Sequence, residues 1–516
     1  MSDSLKMIAQ RKKVSLKKAA IALPLVICWI IHPGNISAQQ HFTPLKQGEY
    51  EVKEESGFFN PGAQIGGSYK AHYSVFKDGF INEADLASQL KQDVEIRIQS
   101  KVNTNLAVHA TIGNKYKSVE QQEEGYYTDY PDEAGDVSGD GGLDLEFREA
   151  YLEYNHNPNA QLQIGKQFIN VGDRIGLIYQ GNATAISQQC RIGTWCYYVG
   201  GARLGEDGSS GLFWGQIDYP VYESGNIVSD RWVKKGVRQE VSFNVELMRV
   251  MYRGIHIPMS KSGQWIGEGS IYQETTTVGT ETKKVYFDND GVEYIGFNLF
   301  WNYYDYILRF TWLNLAGKRD YFAESSASGK DSLGTEQISG NAYHLEMDYQ
   351  VIKSWKIGLK MFTATGTERD DGENIWEGES HSFMEVQKGD YGDALIYFNG
   401  SDGTGEGHSI ANLNYYSVNG SYRSDGNAVF LRLALYSFNR NYEVYYNEIG
   451  SSEKTATHIG EEIDFEIYWN IEEKLKAGFA VGMFLPDNAY SANDNIRPVE
   501  ATKDFSLAAV SLQYDF

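Results

Sequence analysis

The chain has 516 residues, Asp+Glu 69 against Lys+Arg 46, a formal net charge of −23 and a mean hydropathy of −0.45. That polarity excludes a bundle of membrane helices, since no apolar run reaches the roughly 18 to 20 residues that a spanning helix requires, and the acidity argues against nucleic acid as a partner. A transmembrane β-barrel stays compatible with such an average, because a barrel strand crosses in ~9 to 11 residues of which only alternate ones need be apolar.

Residues 1–38 read as a signal peptide. Lys6, Arg11, Lys12, Lys13, Lys17 and Lys18 form a basic region, Ala19 to Ile31 is apolar, and Ser37-Ala38 makes a cleavage site before Gln39. Residues 39–61 are polar and irregular, which predicts a periplasmic N-terminal segment, and 62–516 are expected to form the barrel. From there period-two alternation recurs. Ile65, Tyr69, Ala71, Tyr73 and Val75 alternate with Gln64, Ser68, Lys70, His72 and Ser74, and Val94, Ile96 and Ile98 with Asp93, Glu95, Arg97 and Gln99. Each apolar set is expected to face lipid and each polar set a wet interior.

The pattern predicts strands near 62–76, 92–103, 105–114, 143–155, 160–169, 196–204, 211–220, 238–247, 248–257, 291–301, 306–317, 339–352, 355–366, 409–422, 428–441, 459–470, 474–484 and 503–516. This is an all-β, antiparallel barrel of about eighteen strands, with sixteen as the fallback. The division of 238–257 rests on parity, since bacterial barrels have an even number of strands with short periplasmic turns and longer outer loops. Short connections are expected at Asn103–Asn105, His156–Asn159, Gly205–Ser210, Asn302–Asp305, Ile352–Ser354, Arg423–Ala428 and Ile471–Lys474. Long outer ones are expected at 77–91, 115–142, 170–195, 221–237, 258–290, 318–338, 367–408, 442–458 and 485–502. The chain closes on Ala508, Val510, Leu512, Tyr514 and Phe516 alternating with Ala509, Ser511, Gln513 and Asp515. A closed barrel pairs its last strand with its first, and this terminal aromatic pattern resembles that of bacterial outer-membrane barrels.

Within 145–188 lie Phe147-Arg148-Glu149-Ala150-Tyr151, then Ile164-Gly165-Lys166-Gln167, then Gly172-Asp173-Arg174. This stretch resembles outer-membrane porins of the alginate-export type, with Lys166 standing where that family has Arg. The resemblance implies an eighteen-stranded barrel whose lumen passes an anionic polysaccharide or another small solute. The residues themselves place Arg97, Lys101, Arg148, Lys166, Arg309 and Arg432 at polar positions of expected strands. A charge facing lipid near the midplane costs roughly 2 to 4 kcal/mol, so these are expected to line the pore. Glu95, Glu346, Asp348, Glu462, Asp464 and Glu466 share that face type, so a ladder of ion pairs tying the wall together is an equal alternative.

Loop 170–195, with Arg174 and Arg191, is expected to fold inward and narrow the pore. Cys190 and Cys196 are expected to form a disulfide at its base. Asp136, Asp140 and Asp144 imitate the start of a calcium loop, but its twelfth position is Phe147 instead of Glu; calcium is the one candidate cofactor. His344, Glu346, Asp348 and Gln350 share one strand face, which suits a polar lumen wall, and no Gly-x-Ser-x-Gly elbow accompanies them. Trp214, Trp301, Trp312, Trp355 and Trp469 are assigned to lipid girdles.

The leading reading is a non-enzymatic outer-membrane channel for a small anionic or carbohydrate solute. The alternatives are a surface adhesin or receptor using long acidic loops, and a sheath for an electron-transfer partner.

Overall fold

The computed structural model describes residues 64–77, 86–114, 119–121, 145–157, 159–192, 195–204, 210–223, 241–255, 279–325, 329–366, 412–424, 428–446, 454–491 and 504–516, with parts of 259–276, 378–398, 410 and 426. The expected signal peptide 1–38 and segment 39–61 lie outside the described residues. Alternating sequence drives the described chain into strands with two unlike faces, and eighteen of them close a ring. In chain order these are β1 (Gln64–Lys77), β2 (Leu86–Lys101), β3 (Leu106–Asn114), β4 (Leu145–Asn157), β5 (Ala160–Val171), β6 (Tyr179–Ile192), β7 (Trp195–Leu204), β8 (Ser210–Glu223) and β9 (Val241–Ile255). There follow β10 (Gly279–Tyr303), β11 (Tyr306–Ser325), β12 (Gly329–Ile352), β13 (Trp355–Ala364), β14 (Leu413–Arg423), β15 (Val429–Tyr446), β16 (Lys454–Asn470), β17 (Leu475–Pro486) and β18 (Phe505–Asp515). Each pairs antiparallel with the next, and β18 returns to β1.

Closure runs to the last residue. Phe516 N donates to Gly67 O at 2.9 Å and Gly67 N to Phe516 O at 3.0 Å. A Cβ on Gly67 would stand 2.6 Å from the Phe516 ring, so the close approach of that ring requires glycine. The outer face exposes Ile164, Ile186, Leu247, Ile295, Val418 and Val510. Trp195 packs on Tyr219 with centroids 4.4 Å apart, and Tyr306 stacks on Tyr349 at 4.5 Å, beside tight turns at one end. A soluble monomer does not leave a contiguous apolar surface of this kind in water, and a ring of strands leaves no backbone edge unpaired in lipid. The barrel therefore spans a bacterial outer membrane.

Seven of the eight connections at that end are short: 102–105, 158–159, 193–194, 304–305, 353–354, 424–428 and 471–474, with 224–240 the exception. It is the periplasmic end by the usual asymmetry of these barrels.

The strand number matches the expectation through two compensating differences. Residues 241–255 form one strand with no turn near Glu246, and 179–192, expected as loop, is the wall strand β6. The second accounts for the first, since with 179–192 read as loop an even strand count requires 238–257 to be divided. Met248, Val250 and Tyr252 on the inner side of β9, and Ala183 and Ala185 on that of β6, are buried against material filling the barrel. Their inner faces are therefore not polar, and the contrast that marks a barrel strand is missing. Between the two differences the chain runs opposite to the expected sense, so 205–209 lies at the outer end and 224–240 at the periplasmic end. Trp214 also departs from expectation: it points inward and is buried, with Phe213 in the lipid-facing place, whereas Trp301 and Trp355 are exposed on the outer face.

The expected disulfide is not formed. Cys190 pairs with Tyr197 and Cys196 with Arg191, and neither is in a disulfide. The two-residue turn at 193–194 sets a register that puts Cys190 on the outer face and Cys196 on the inner one. Both cysteines should consequently react with a thiol reagent in protein denatured without reductant, and reduction should not change its electrophoretic migration.

Candidate functional site

Two segments turn into the barrel and define what is left of its lumen. The first is 172–178, between β5 and β6. Gly172 lies at φ +117°, a backbone state that suits glycine, and Gly176 at φ +68°. Asp173 Oδ1 accepts the N–H of Ile175 at 2.8 Å, and Gly176 N donates to Asp173 O at 3.1 Å, so the corner is a tight Asx-type turn. Ile175, Leu177 and Ile178 are buried.

The corner reaches the wall formed by β10–β12. Asn298 Nδ2 donates to Gly172 O at 3.1 Å, and Thr311 Oγ1 to Asp173 Oδ2 at 3.3 Å. His344 Nδ1 lies 3.0 Å from the same Asp173 Oδ2. Arg174 Nη2 donates to Glu346 Oε2 at 2.8 Å. Glu346 also faces Arg309 at 3.3 Å, and Asp348 faces Lys356 at 3.1 Å and Arg309 at 3.6 Å. Lys360 stands directly opposite Glu346 in the β12–β13 register. The Glu346 side chain is 6% exposed while Arg174 is 53% exposed, so the carboxylate is enclosed and the guanidinium still looks into open space. Four permanent cations, Arg174, Arg309, Lys356 and Lys360, meet four carboxylates here, those of Asp173, Glu246, Glu346 and Asp348, Glu246 accepting from Asn298 Nδ2 at 3.0 Å.

The second inward segment belongs to the 365–412 connection, expected from sequence to be an outer loop. Its strand 378–380 runs parallel to β12 where β13 has ended. Phe383 N donates to Thr365 O at 2.9 Å, and Val386 N donates to Ile178 O at 2.8 Å, joining the two inward segments. Further on, Ile396 N and Tyr397 N donate to the Glu462 carboxylate at 2.7 and 3.0 Å, and Leu395 N donates to Asp464 Oδ2 at 3.0 Å. Tyr397 stacks on Phe438 at 4.2 Å and Phe398 packs edge-on against Tyr415 at 5.3 Å. The outer half of the barrel thus holds an aromatic core against the β10–β18 wall.

The β2–β4 wall differs. Arg148 Nη2 donates to Asp93 Oδ1 at 2.6 Å and Nη1 to Glu95 Oε2 at 3.4 Å, and Arg97 pairs with Glu95. His109 Nε2 lies 3.2 Å from Glu153. These side chains are partly exposed, which leaves a charged passage beside the filled region.

The expected pore-lining cations fall into three groups. Arg97, Arg148, Arg309 and Arg432 lie on the inner face, each within an ion pair, Arg432 Nη2 facing Glu466 at 3.2 Å. Lys101 is on the inner face next to the 102–105 turn, and Arg174 is on the inward corner. Lys166 is not in the lumen. It shares its face with Ala150, Thr184 and Ile164, the outer side of β5, and its Nζ donates to Phe147 O at 2.6 Å. Arg148 occupies a bulge against β3 that turns it inward, whereas Lys166 keeps an unbroken period of two with Ile164 on the outer face. Of loop 170–195 only 172–178 enters the lumen. Asp136, Asp140 and Asp144 lie outside the described residues. The roles of Asp173, Glu462 and Asp464 went unrecognised; the apolar run Ala394-Leu395-Ile396-Tyr397-Phe398 inside a polar connection was the available sign of an inward segment.

No family model matches the chain, and no curated protein matches it. Among solved structures it is similar to Pseudomonas aeruginosa OpdK with vanillate, at 10% identity and a TM-score of 0.46, covering 88% of this chain and 98% of that one. It is also similar to Pseudomonas aeruginosa OccK11 (OpdR), at 8% identity and a TM-score of 0.44, covering 88% and 96%. Likeness at this level adds nothing to the barrel already evident from the strand pairing.

The second inward segment hangs on Glu462 by backbone-to-carboxyl hydrogen bonds, worth roughly 0.5 to 1.5 kcal/mol each net and more when one is left unmade. Replacing Glu462 by Ala should release the segment, raising the rate of proteolysis within 365–412 about tenfold or more, while the barrel keeps the heat-modifiable migration of a folded one.

Proposed function

We propose that this barrel is an outer-membrane channel for small hydrophilic solutes and that its constriction favours anions carrying a carboxylate. The observation that carries the reading is the half-exposed Arg174, held by Glu346 on a rigid corner and backed by Arg309, Lys356 and Lys360. A half-exposed guanidinium fixed in this way presents its planar fork to a carboxylate. A fixed charge inside a low-dielectric wall acts strongly on ions at the narrow point. The charged β2–β4 wall supplies the wet approach to it. Of the likeness to alginate-export porins, the part that enters this reading is the Gly172-Asp173-Arg174 corner, since Lys166 is outside the lumen. Two inward segments leave room for a small anion more readily than for a wide polymer.

The test is single-channel recording in a planar bilayer under a KCl gradient. The reversal potential should report anion preference, and Arg174→Ala should reduce the anion-to-cation permeability ratio several-fold with little loss of folded protein. Cation selectivity of the unaltered protein, or no conductance at all, would overturn the proposal; the second outcome would favour a receptor surface built on the outer loops.

A further inference from the structure

His344 holds the inward corner with only one of its two ring nitrogens. Nδ1 lies 3.0 Å from Asp173 Oδ2. Nε2 is buried and has no hydrogen-bond partner among the described residues. The Asp173 carboxylate also accepts the Ile175 N–H at Oδ1 and the Thr311 hydroxyl at Oδ2. It is an acceptor throughout, so the imidazole presents an N–H to it at Nδ1. In the neutral ring that choice leaves a bare lone pair at Nε2. A proton taken up there adds a full charge and leaves the Nδ1 contact in place. Anchoring of the corner and titration of the ring thus fall to different atoms.

The charge of this ring sets the balance around it. One row across the inner wall runs from Glu246 on β9 through Asn298 on β10, Thr311 on β11 and His344 on β12 to Phe362 on β13. The Phe362 ring stands beside the imidazole, with centroids 6.4 Å apart. In the next inward row toward the periplasmic end, Arg309, Glu346 and Lys360 follow one another on β11, β12 and β13. Asp348 and Lys356 pair just beyond them, and the corner adds Asp173 and Arg174. With His344 neutral, the four cations and four carboxylates of this group cancel. With His344 charged, the group carries one net positive charge. Histidine is the side chain whose charge ordinarily changes between about pH 5 and 8, whereas carboxylates, arginine and lysine ordinarily keep theirs over that range. Inside a low-dielectric wall one added charge is weakly screened and acts on every ion that passes the narrow point.

We propose, on the channel reading above, that His344 sets the charge preference of the constriction, taking a proton at Nε2 as the pH falls and so favouring carboxylate solutes in acid. The experiment follows the KCl-gradient reversal potential of the full chain in planar bilayers from about pH 8 to about pH 5. It compares the unaltered protein with His344→Gln, whose amide can still donate to Asp173. The anion-to-cation permeability ratio of the unaltered protein should rise about threefold across that range along a single-proton curve, and the ratio of the variant should stay flat. An undiminished rise in folded His344→Gln would overturn the proposal. So would a ratio in the unaltered protein that ignores pH, or that moves only below about pH 5, where carboxylates titrate. Should His344→Gln yield no folded, heat-modifiable barrel, His344→Asn and the curve of the unaltered protein decide the matter. Cation selectivity throughout, with a shift that the variant loses, would overturn the anion preference proposed above and leave the role of His344 standing. Anion selectivity with no shift would do the reverse, and absence of conductance would overturn both.

Discussion

A backbone N–H or C=O with no partner cannot be left in hydrocarbon, and everything about this chain follows from meeting that constraint. Eighteen strands satisfy it by pairing in a ring, closed where β18 pairs with β1 from Ser506 to Asp515 and Phe516 exchanges two backbone hydrogen bonds with Gly67. Once the wall is closed, its two faces are held to different chemistries: apolar residues outside, polar ones inside wherever water enters. Strands β10–β12, at 25, 20 and 24 residues, exceed what crossing demands and carry the wall beyond the bilayer.

The interior is where the simple rule fails, and the failure is informative. A barrel of this size is too wide to be filled by its own wall side chains. Here 172–178 and parts of the 365–412 connection occupy the space, so inner positions beside them became apolar: Tyr294, Phe362, Tyr415 and Phe438 are all buried there. Each inward segment carries polar groups that must be matched, and the wall matches them: Glu462 and Asp464 accept backbone N–H groups of one segment, and for the other Asn298 donates to Gly172 O and Thr311 to the Asp173 carboxylate.

What the sequence makes legible follows from this division. Strands whose inner face meets water, such as β2 with Asp93, Glu95 and Arg97 or β18 with Ser511 and Gln513, alternate visibly and are recovered nearly in place. Strands whose inner face meets the filling lose the contrast: β6 is missed, and an even strand count then requires a division of β9 that no turn signal supports. Alternation assigns most lumen cations, and at Lys166 a strict period of two with Leu162 and Ile164 already points outward; Arg148 reaches the lumen only through its bulge, which alternation does not show. Pairing of charges across strands was beyond reach, since Arg174 meets a residue 172 positions away. The cysteines show the same limit on a small scale: five intervening residues are compatible with a bridge, and only the register of the 193–194 turn sends them to opposite faces.

The anchorage at Glu462 and Asp464 has a consequence for variation in the chain. Both carboxylates grip main-chain N–H groups of residues 395–397, and none of these contacts depends on a side chain of that segment. The main chain of this segment is therefore seated by the wall, while Ile396 and Tyr397 are also held by their side chains in the aromatic core. Leu395, only partly buried, can change size and polarity, and with it the shape of the passage, without loosening that seat. A rigid wall that grips backbone is a scaffold on which selectivity can drift at such a position while the fold stays fixed.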